Sequence, residues 1–105
     1  LAGVSPDIFL FVGPFNIITS CMVHANLDWT FGPFARIFVS PLFHRWHHAM
    51  EVRDVNFAST FSLWDWMFGT YHMPQGAVPQ SYGIDDTAMP EGLMPQLVYP
   101  LLQKA

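Results

Sequence analysis

The chain opens with a long apolar stretch behind a short polar boundary. The Ser-Pro-Asp segment at 5–7 is typical of a helix start, because serine can cap a helix, proline suits its first position and aspartate favours the positive end of its dipole. The run 8–23 carries no charged residue, but at about 16 residues it is shorter than the roughly 20 that cross a bilayer. A Gly-Pro pair at 13–14 interrupts it. We therefore predict a kinked, membrane-embedded helix within residues 6–27, with a buried helix of a soluble core as the alternative.

A second polar boundary predicts a second helix. Ser-Pro recurs at 40–41, and the sequence LFHRWHHAME follows it directly. This second main helix carries three histidines in its first turns, His44, His47 and His48. The Gly-Pro pair at 32–33 is a turn signal, so the chain can reverse between the two helices and bring their ends together.

Two further segments complete the predicted fold. The sequence TFSLWDWMF at 60–68 indicates a short helix that ends at Gly69, and its tryptophan and phenylalanine content suits a membrane interface. The tail, 73–105, holds five of the nine prolines, which we interpret as too many for a regular element. The predicted fold class is all-α: a fragment of a helical integral-membrane domain, with two main helices, a short interfacial helix and a proline-rich, extended C-terminal arm.

Composition narrows the possible surroundings of this fold. Hydrophobic residues make up 51% of the chain and charged residues only 11%, against roughly 25% charged in typical globular proteins, which points to lipid or a larger protein. A net charge of −4 gives no basic footprint for nucleic acid. Three of the four cationic residues lie in the middle third, which favours the cytoplasmic side for that stretch of a membrane protein. The single cysteine, Cys21, cannot form an internal disulfide, and we expect a buried, inert thiol.

The histidines carry the most specific chemical signal. His44, His47 and His48 stand at positions i, i+3 and i+4, which share one face of a helix, so their imidazoles project toward a common region. Imidazole binds iron, zinc, copper and nickel, whereas magnesium and calcium prefer oxygen ligands that this motif lacks. Three exposed histidines on a solvated helix are the alternative. His24 stands at the end of the first predicted helix, and a chain reversal can bring it to the same place.

The order of these motifs resembles the last third of the fatty acid hydroxylase and sterol desaturase superfamily, which comprises membrane-bound di-iron oxygenases with histidine boxes. That family shows HxN, a proline, HxxHH, Asp-x-Asn-(Tyr/Phe) and WDxxFGT in this order. The chain has HAN at 24–26, HRWHH at 44–48, DVNF at 54–57 and WDWMFGT at 64–70. The match spans about residues 3–100, and the ordered set of motifs is far more specific than HxxHH alone.

The resemblance implies an oxidoreductase with a centre of two iron ions that uses O2 to hydroxylate or desaturate a C–H bond of a sterol, fatty acid or related lipid. It also implies a membrane location with the metal site on the cytoplasmic side, and an electron donor such as a cytochrome b5 or ferredoxin system. Carried over to this sequence, the metal ligands are His24, His44, His47 and His48, and no other catalytic residue is implied. The positions that orient these ligands or pack beneath them are Asn26, Asp54, Asn56, Trp64 and Asp65.

The same resemblance implies that residues 1–105 are the C-terminal part of such a domain. Two earlier histidine boxes of the family, HxxxH or HxxxxH and then HxxHH, have no counterpart here, so we expect the chain to be inactive alone. His72 stands outside the ligand pattern, and we interpret it as a surface or packing residue. The alternative function is a non-catalytic module that binds zinc structurally or anchors a protein to a membrane.

Overall fold

The computed structural model describes residues 3–83 and 90–102, and within these ranges it is helical. The four α-helices are α1 (Ile8–Val23), α2 (Pro41–His47), α3 (Leu63–Phe68) and α4 (Leu93–Leu102), and a 3-10 helix (Gly32–Phe34) lies between α1 and α2. An isolated antiparallel bridge joins Ala49 to Tyr82, and the described ranges contain no strand. The predicted all-α class is confirmed for this part of the chain.

Helix α1 lies inside the predicted range and is mostly exposed. Asp7 is its N-cap, and the Ser5 hydroxyl donates to a carboxylate oxygen of Asp7 at 3.2 Å. Val23 is the buried residue of this helix, while Cys21 is exposed, which corrects the expectation of a buried thiol. Met22 and Val23, at the end of α1, pack in the cluster around Phe43, whereas most earlier residues of the helix, Cys21 included, are exposed. Among the residues described, no helix has both the length and the apolar character needed to cross a bilayer.

Helix α2 begins at the position that the Ser-Pro signal predicts. Ser40 is the N-cap, its hydroxyl oxygen accepts a hydrogen bond from the Phe43 amide at 3.2 Å, and Pro41 takes the first helical position. The helix is shorter than the sequence LFHRWHHAME suggests, since it ends at His47 with His48 as its C-cap. The N-cap at Ser40 therefore determines the positions of His44 and His47 along the helix.

The buried side of α2 forms the centre of two small apolar clusters. One cluster contains Val23, Val39 and Phe43, and the other contains Leu42, Trp46 and Ala49. Val23 directly precedes His24 in the sequence, and Phe43 directly precedes His44. Packing between Val23 and Phe43 therefore sets the separation of the two segments that carry histidines.

A buried carboxylate ties α3 to the loop that precedes it. Asp65 is 2% exposed, and its Oδ1 accepts hydrogen bonds from the Phe57 amide at 2.8 Å and the Thr70 hydroxyl at 2.5 Å. Its Oδ2 accepts from the Ala58 amide at 2.8 Å. As predicted, α3 ends at Gly69, whose φ of +77° lies in the left-handed region that favours glycine.

The proline-rich tail differs from the extended arm that we expected. Residues 74–81 contain no helix or strand, but Leu93–Leu102 form α4. Pro95 stands in the first turn, where an amide has no partner within the helix, and Pro100 removes one hydrogen bond near the other end. The number of prolines was therefore less informative than their positions. The parts of the predicted arm at 84–89 and 103–105 lie outside the described residues.

Candidate metal centre

The end of α1 and the last turn of α2 bring three imidazoles together. His24 is the C-cap of α1, and its Nε2 lies 3.1 Å from the Nε2 of His44. The Nε2 of His48 lies 3.1 Å from the same His44 atom. One nitrogen from each ring can be chosen so that all three lie within 4.8 Å of one another. From the sequence, His24 could reach His44 and His48 only if the chain reverses between the two helices. The structure places it beside both of them.

The spacing of these nitrogens fits a transition-metal ion. Metal–nitrogen bonds of about 2.1 Å hold neighbouring ligand nitrogens about 3.0 Å apart at right angles and about 3.4 Å apart at tetrahedral angles. The two Nε2–Nε2 separations of 3.1 Å, from His44 to His24 and from His44 to His48, fall in this interval. The donor set is entirely imidazole, which suits iron or zinc and not magnesium or calcium.

Two of the histidines have their second ring nitrogen fixed by a backbone carbonyl. The Nδ1 of His24 lies 2.7 Å from the Ser20 carbonyl oxygen, and the Nδ1 of His47 lies 3.0 Å from the Val55 carbonyl oxygen. A carbonyl only accepts, so in both rings Nδ1 is the donor, which leaves Nε2 as the nitrogen available to a metal. Metal-binding histidines are commonly oriented in this way.

His47 lies beside the three-histidine cluster and is not part of it. Its ring centroid is 5.6 Å from that of His44 and 5.1 Å from that of His48. Consecutive helical residues are about 100° apart around the axis, so His47 and His48 diverge even though both lie near the face of His44. The structure thus brings nitrogens of His24, His44 and His48 within 4.8 Å of one another, while His47 lies next to them with its Nδ1 at the Val55 carbonyl.

Burial and mutual repulsion keep the central imidazole neutral. Burial of His44, followed by the proximity of His24, His48 and His47, lowers its pKa from 6.5 to about 4. Burial, then His47 and His24, also lowers the pKa of His48. Neutral imidazole is the form that binds a metal, so His44 is ready to do so at neutral pH. Within the described chain the Nδ1 of His44 is buried without a hydrogen-bond partner, unlike that of His24 or His47.

Asn56, from the DVNF motif, secures the segment next to the cluster. It is fully buried, and its Nδ2 donates to the Phe43 carbonyl at 2.9 Å and to the His72 carbonyl at 2.8 Å. Its Oδ1 accepts from the His72 amide at 2.7 Å. Its φ of +56° is left-handed, a conformation that asparagine tolerates better than most residues. Asn56 thereby holds the backbone of α2 directly before His44.

The other predicted supporting residues have different surroundings. Asp65 is buried in α3, as described above, and Trp64, which is 54% exposed, lines a small surface hollow together with it. Asp54 is exposed, with a left-handed φ of +58°, in a surface hollow that His47 also lines. Asn26 is exposed at the edge of the three-histidine cluster.

His72 packs away from the cluster. Its ring centroid is 5.0 Å from the Trp46 ring at a nearly perpendicular angle, and its backbone is held by Asn56. This placement agrees with the packing role that we inferred from its position outside the ligand pattern.

An open hollow of about 420 Å³ lies against the three histidines, and we call it the histidine hollow. It is lined by Val23, His24, Ala25, Asn26, His44, Arg45, His48 and Tyr82. Sequence reasoning missed four of these, the apolar Val23 and Ala25 and the polar Arg45 and Tyr82. Arg45 is visible inside the HRWHH motif, but no local pattern connects it to Tyr82, which stands 37 residues later.

Comparison with known proteins gives a consistent result. The chain is similar to ornithine lipid hydroxylase OlsE of Rhizobium tropici, with 30% identity over 99% of this chain and 32% of that protein. It is also similar to alkylglycerol monooxygenases of Caenorhabditis elegans, with 34% identity over 77% of this chain, and of Homo sapiens, with 29% identity over 65%. Each alignment covers 16% of the monooxygenase, so the chain spans about a third or less of the curated relatives it matches.

No solved structure matches the chain. The family model for fatty acid hydroxylase matches residues 1–70, the part that contains the three-histidine cluster, the DVNF motif and the WDWMFGT motif. By this match and by its similarity to lipid hydroxylases and monooxygenases, the chain belongs to the fatty acid hydroxylase family.

Proposed function

We propose that this chain is the C-terminal, metal-binding part of a membrane lipid oxidoreductase, which uses a di-iron centre and O2 to hydroxylate or desaturate a lipid C–H bond. The observation that carries this proposal is the convergence of the His24, His44 and His48 nitrogens at metal-ligand spacing. Membership of the fatty acid hydroxylase family supports the choice of iron. The relatives named as a lipid hydroxylase and alkylglycerol monooxygenases support a lipid substrate.

In this proposal His24, His44, His47 and His48 bind iron through neutral imidazoles. The bound iron supplies the activation of O2 that breaking an unactivated C–H bond requires. The residues around it do the positioning: the carbonyls of Ser20 and Val55 orient His24 and His47. The remaining ligands come from parts of the protein outside this chain, so we expect residues 1–105 to be inactive alone.

The exposed apolar surface supports a membrane setting. Phe9, Phe11 and Ile18 of α1 are each about two-thirds exposed or more, on a helix without charged residues. We propose that lipid or other helices of the same domain cover this surface, with Trp64 and Trp66 of α3 at the membrane interface. The metal site then lies on the cytoplasmic side, where a cytochrome b5 or ferredoxin system can deliver electrons.

A structural zinc site is the second candidate function. A tetrahedral zinc ion needs about four nitrogen or sulfur ligands, and the three-histidine cluster supplies three of them. The all-imidazole cluster is equally suited to zinc. Under this alternative the chain is a non-catalytic zinc-binding or membrane-anchoring module.

Metal identity combined with O2 uptake separates the two candidates. The full-length protein is purified in detergent, stripped of metal and reloaded anaerobically with ferrous iron, because zinc outcompetes ferrous iron at many nitrogen sites. We expect about two irons per chain and O2 uptake that depends on both lipid and reductant. The metal-free protein with the same lipid and reductant is the control. Tightly held zinc and no lipid-dependent uptake after iron loading would contradict the oxidoreductase.

Two histidines provide a matched test of the ligand assignment. His24→Ala should weaken metal binding by at least about 10-fold, because it removes a nitrogen from the cluster. His72→Ala also removes an imidazole, but that imidazole packs on Trp46 outside the cluster. Metal content should therefore stay near that of the wild type. Metal analysis of both full-length variants after equal loading gives the ranking. Greater metal loss in His72→Ala than in His24→Ala would refute the assignment.

A further inference from the structure

One arginine beside the histidines joins three separate segments of the chain. The Arg45 guanidinium forms an ion pair through Nη1 with a carboxylate oxygen of Asp28. Its Nε and Nη2 donate to the Tyr82 hydroxyl oxygen at 2.9 Å and 2.6 Å. The Tyr82 hydroxyl in turn donates to the Pro79 carbonyl at 3.2 Å, so both lone pairs and the proton of this hydroxyl are occupied.

Each partner of Arg45 belongs to a segment that borders the histidine hollow. Asp28 lies in the loop that follows His24, so the ion pair holds this loop against α2. Arg45 itself directly follows His44 on α2. Tyr82 lines the histidine hollow together with the three clustered histidines. Arg45 is therefore the junction of the loop after His24, the helix that carries His44, and the segment 79–83.

The segment 79–83 is also attached to the end of α2 by contacts that do not involve Arg45. These contacts are Gly83 N to His48 O at 3.1 Å, Met50 N to Ser81 O at 3.1 Å and Gln80 N to Glu51 Oε1 at 2.8 Å. Loss of the Arg45 contacts should therefore leave the segment attached and change mainly the position of the Tyr82 ring. This separates a local effect on the histidine hollow from general unfolding.

We propose that Arg45 is a positioning residue of the metal centre, and that Tyr82 is a side wall of the histidine hollow which Arg45 holds in place. This inference rests on the proposed function, because it assumes that the clustered histidines bind metal. An ion pair with a largely exposed carboxylate such as Asp28 contributes little to folding stability. The guanidinium fork, in contrast, fixes directions that the point charge of lysine cannot reproduce. Arg45 therefore acts through placement, because it holds the loop after His24 against α2 and fixes Tyr82 at the side of the histidine hollow.

The test uses Arg45→Lys and Tyr82→Phe in the full-length protein, with Arg36→Lys as the matched control outside the histidine hollow. Cobalt(II) affinity, measured by chelator competition, and the visible spectrum of bound cobalt report on the site independently of activity. We expect about 10-fold weaker binding and an altered spectrum for both variants, within the range known for residues that orient metal ligands. The double variant should bind no more weakly than the single ones, because both act through the same contacts. Arg36→Lys should match the wild type.

Two further measurements separate the possible outcomes. The unfolding temperature of each variant reports general destabilisation, and a His44→Ala variant tests the metal site itself. Wild-type affinity and spectrum in Arg45→Lys, or weaker binding that merely parallels a lowered unfolding temperature, would overturn the positioning role. If His44→Ala loses cobalt while Arg45→Lys does not, only this inference fails. If His44→Ala also binds cobalt as the wild type does, the proposed metal site itself fails.

Discussion

Replacement of His44 by alanine in the full-length protein is expected to abolish lipid oxidation. The Nε2 of His44 lies 3.1 Å from both the His24 and the His48 nitrogens, so its loss removes the central member of the cluster. Even residues that only orient ligands change metal affinity or activity by 10–100-fold, and loss of a ligand should exceed this. Iron content and lipid-dependent O2 uptake, measured on the same sample, check the result.

His47→Ala and His48→Ala should also abolish oxidation, but they should differ in metal content. His48 belongs to the cluster, so its loss should lower bound iron as the loss of His44 does. His47 lies beside the cluster, so its loss should leave more of the iron in place. His72→Ala is the control for removal of an imidazole outside the site. Iron content and turnover like those of the wild type in all three variants would contradict the ligand assignment.

Asp65→Ala is expected to lower the free energy of unfolding substantially. Its carboxylate accepts hydrogen bonds from the amides of Phe57 and Ala58 and from the Thr70 hydroxyl, at a position that is 2% exposed. Each donor left unsatisfied in the interior costs about 1–3 kcal/mol, so the three together should lower the free energy of unfolding by about 3 kcal/mol or more. Domains are typically stable by only about 5–15 kcal/mol, so the change should be easily measured.

Asp54→Asn is the matched control for Asp65→Ala. Asp54 is exposed and has a left-handed backbone that asparagine also adopts readily, so loss of its charge should change stability by less than about 0.5 kcal/mol. Thermal unfolding of both full-length variants in the same detergent provides the comparison. Equal unfolding temperatures for Asp65→Ala and the wild type would show that the buried carboxylate is not needed for stability.

The parts of the fold that follow from local chemistry could be predicted from the sequence. Ser40 and Pro41 determine the start of α2, and Gly69 determines the end of α3, because capping and left-handed φ depend on a few neighbouring residues. The tail was predicted less well, because the effect of Pro95 depends on its place in the first helical turn. Exposure of Cys21 depends on how far α1 packs on α2, which a single sequence does not reveal.

In the candidate site, too, the features that depend on local spacing could be predicted and those that depend on long-range contacts could not. Helical spacing placed His44 and His48 together, but it did not anticipate that His47 stays outside the three-histidine cluster. Positions i+3 and i+4 lie on opposite sides of the direction defined by position i. The hydrogen bonds between Arg45 and Tyr82 join residues 37 positions apart, so they depend on the path of the whole chain between them. Long-range contacts of this kind leave no local pattern in one sequence.

The burial of α1 at Val23, in its last turn, has a mechanical consequence. The helix is about 24 Å long at 1.5 Å per residue. It is buried at Val23, directly before His24. If α1 pivots there, a swing of about 5° moves the far end by about 2 Å while His24 stays almost stationary. The geometry at the histidines is therefore insensitive to small tilts of α1, because the fixed point of the tilt lies next to His24.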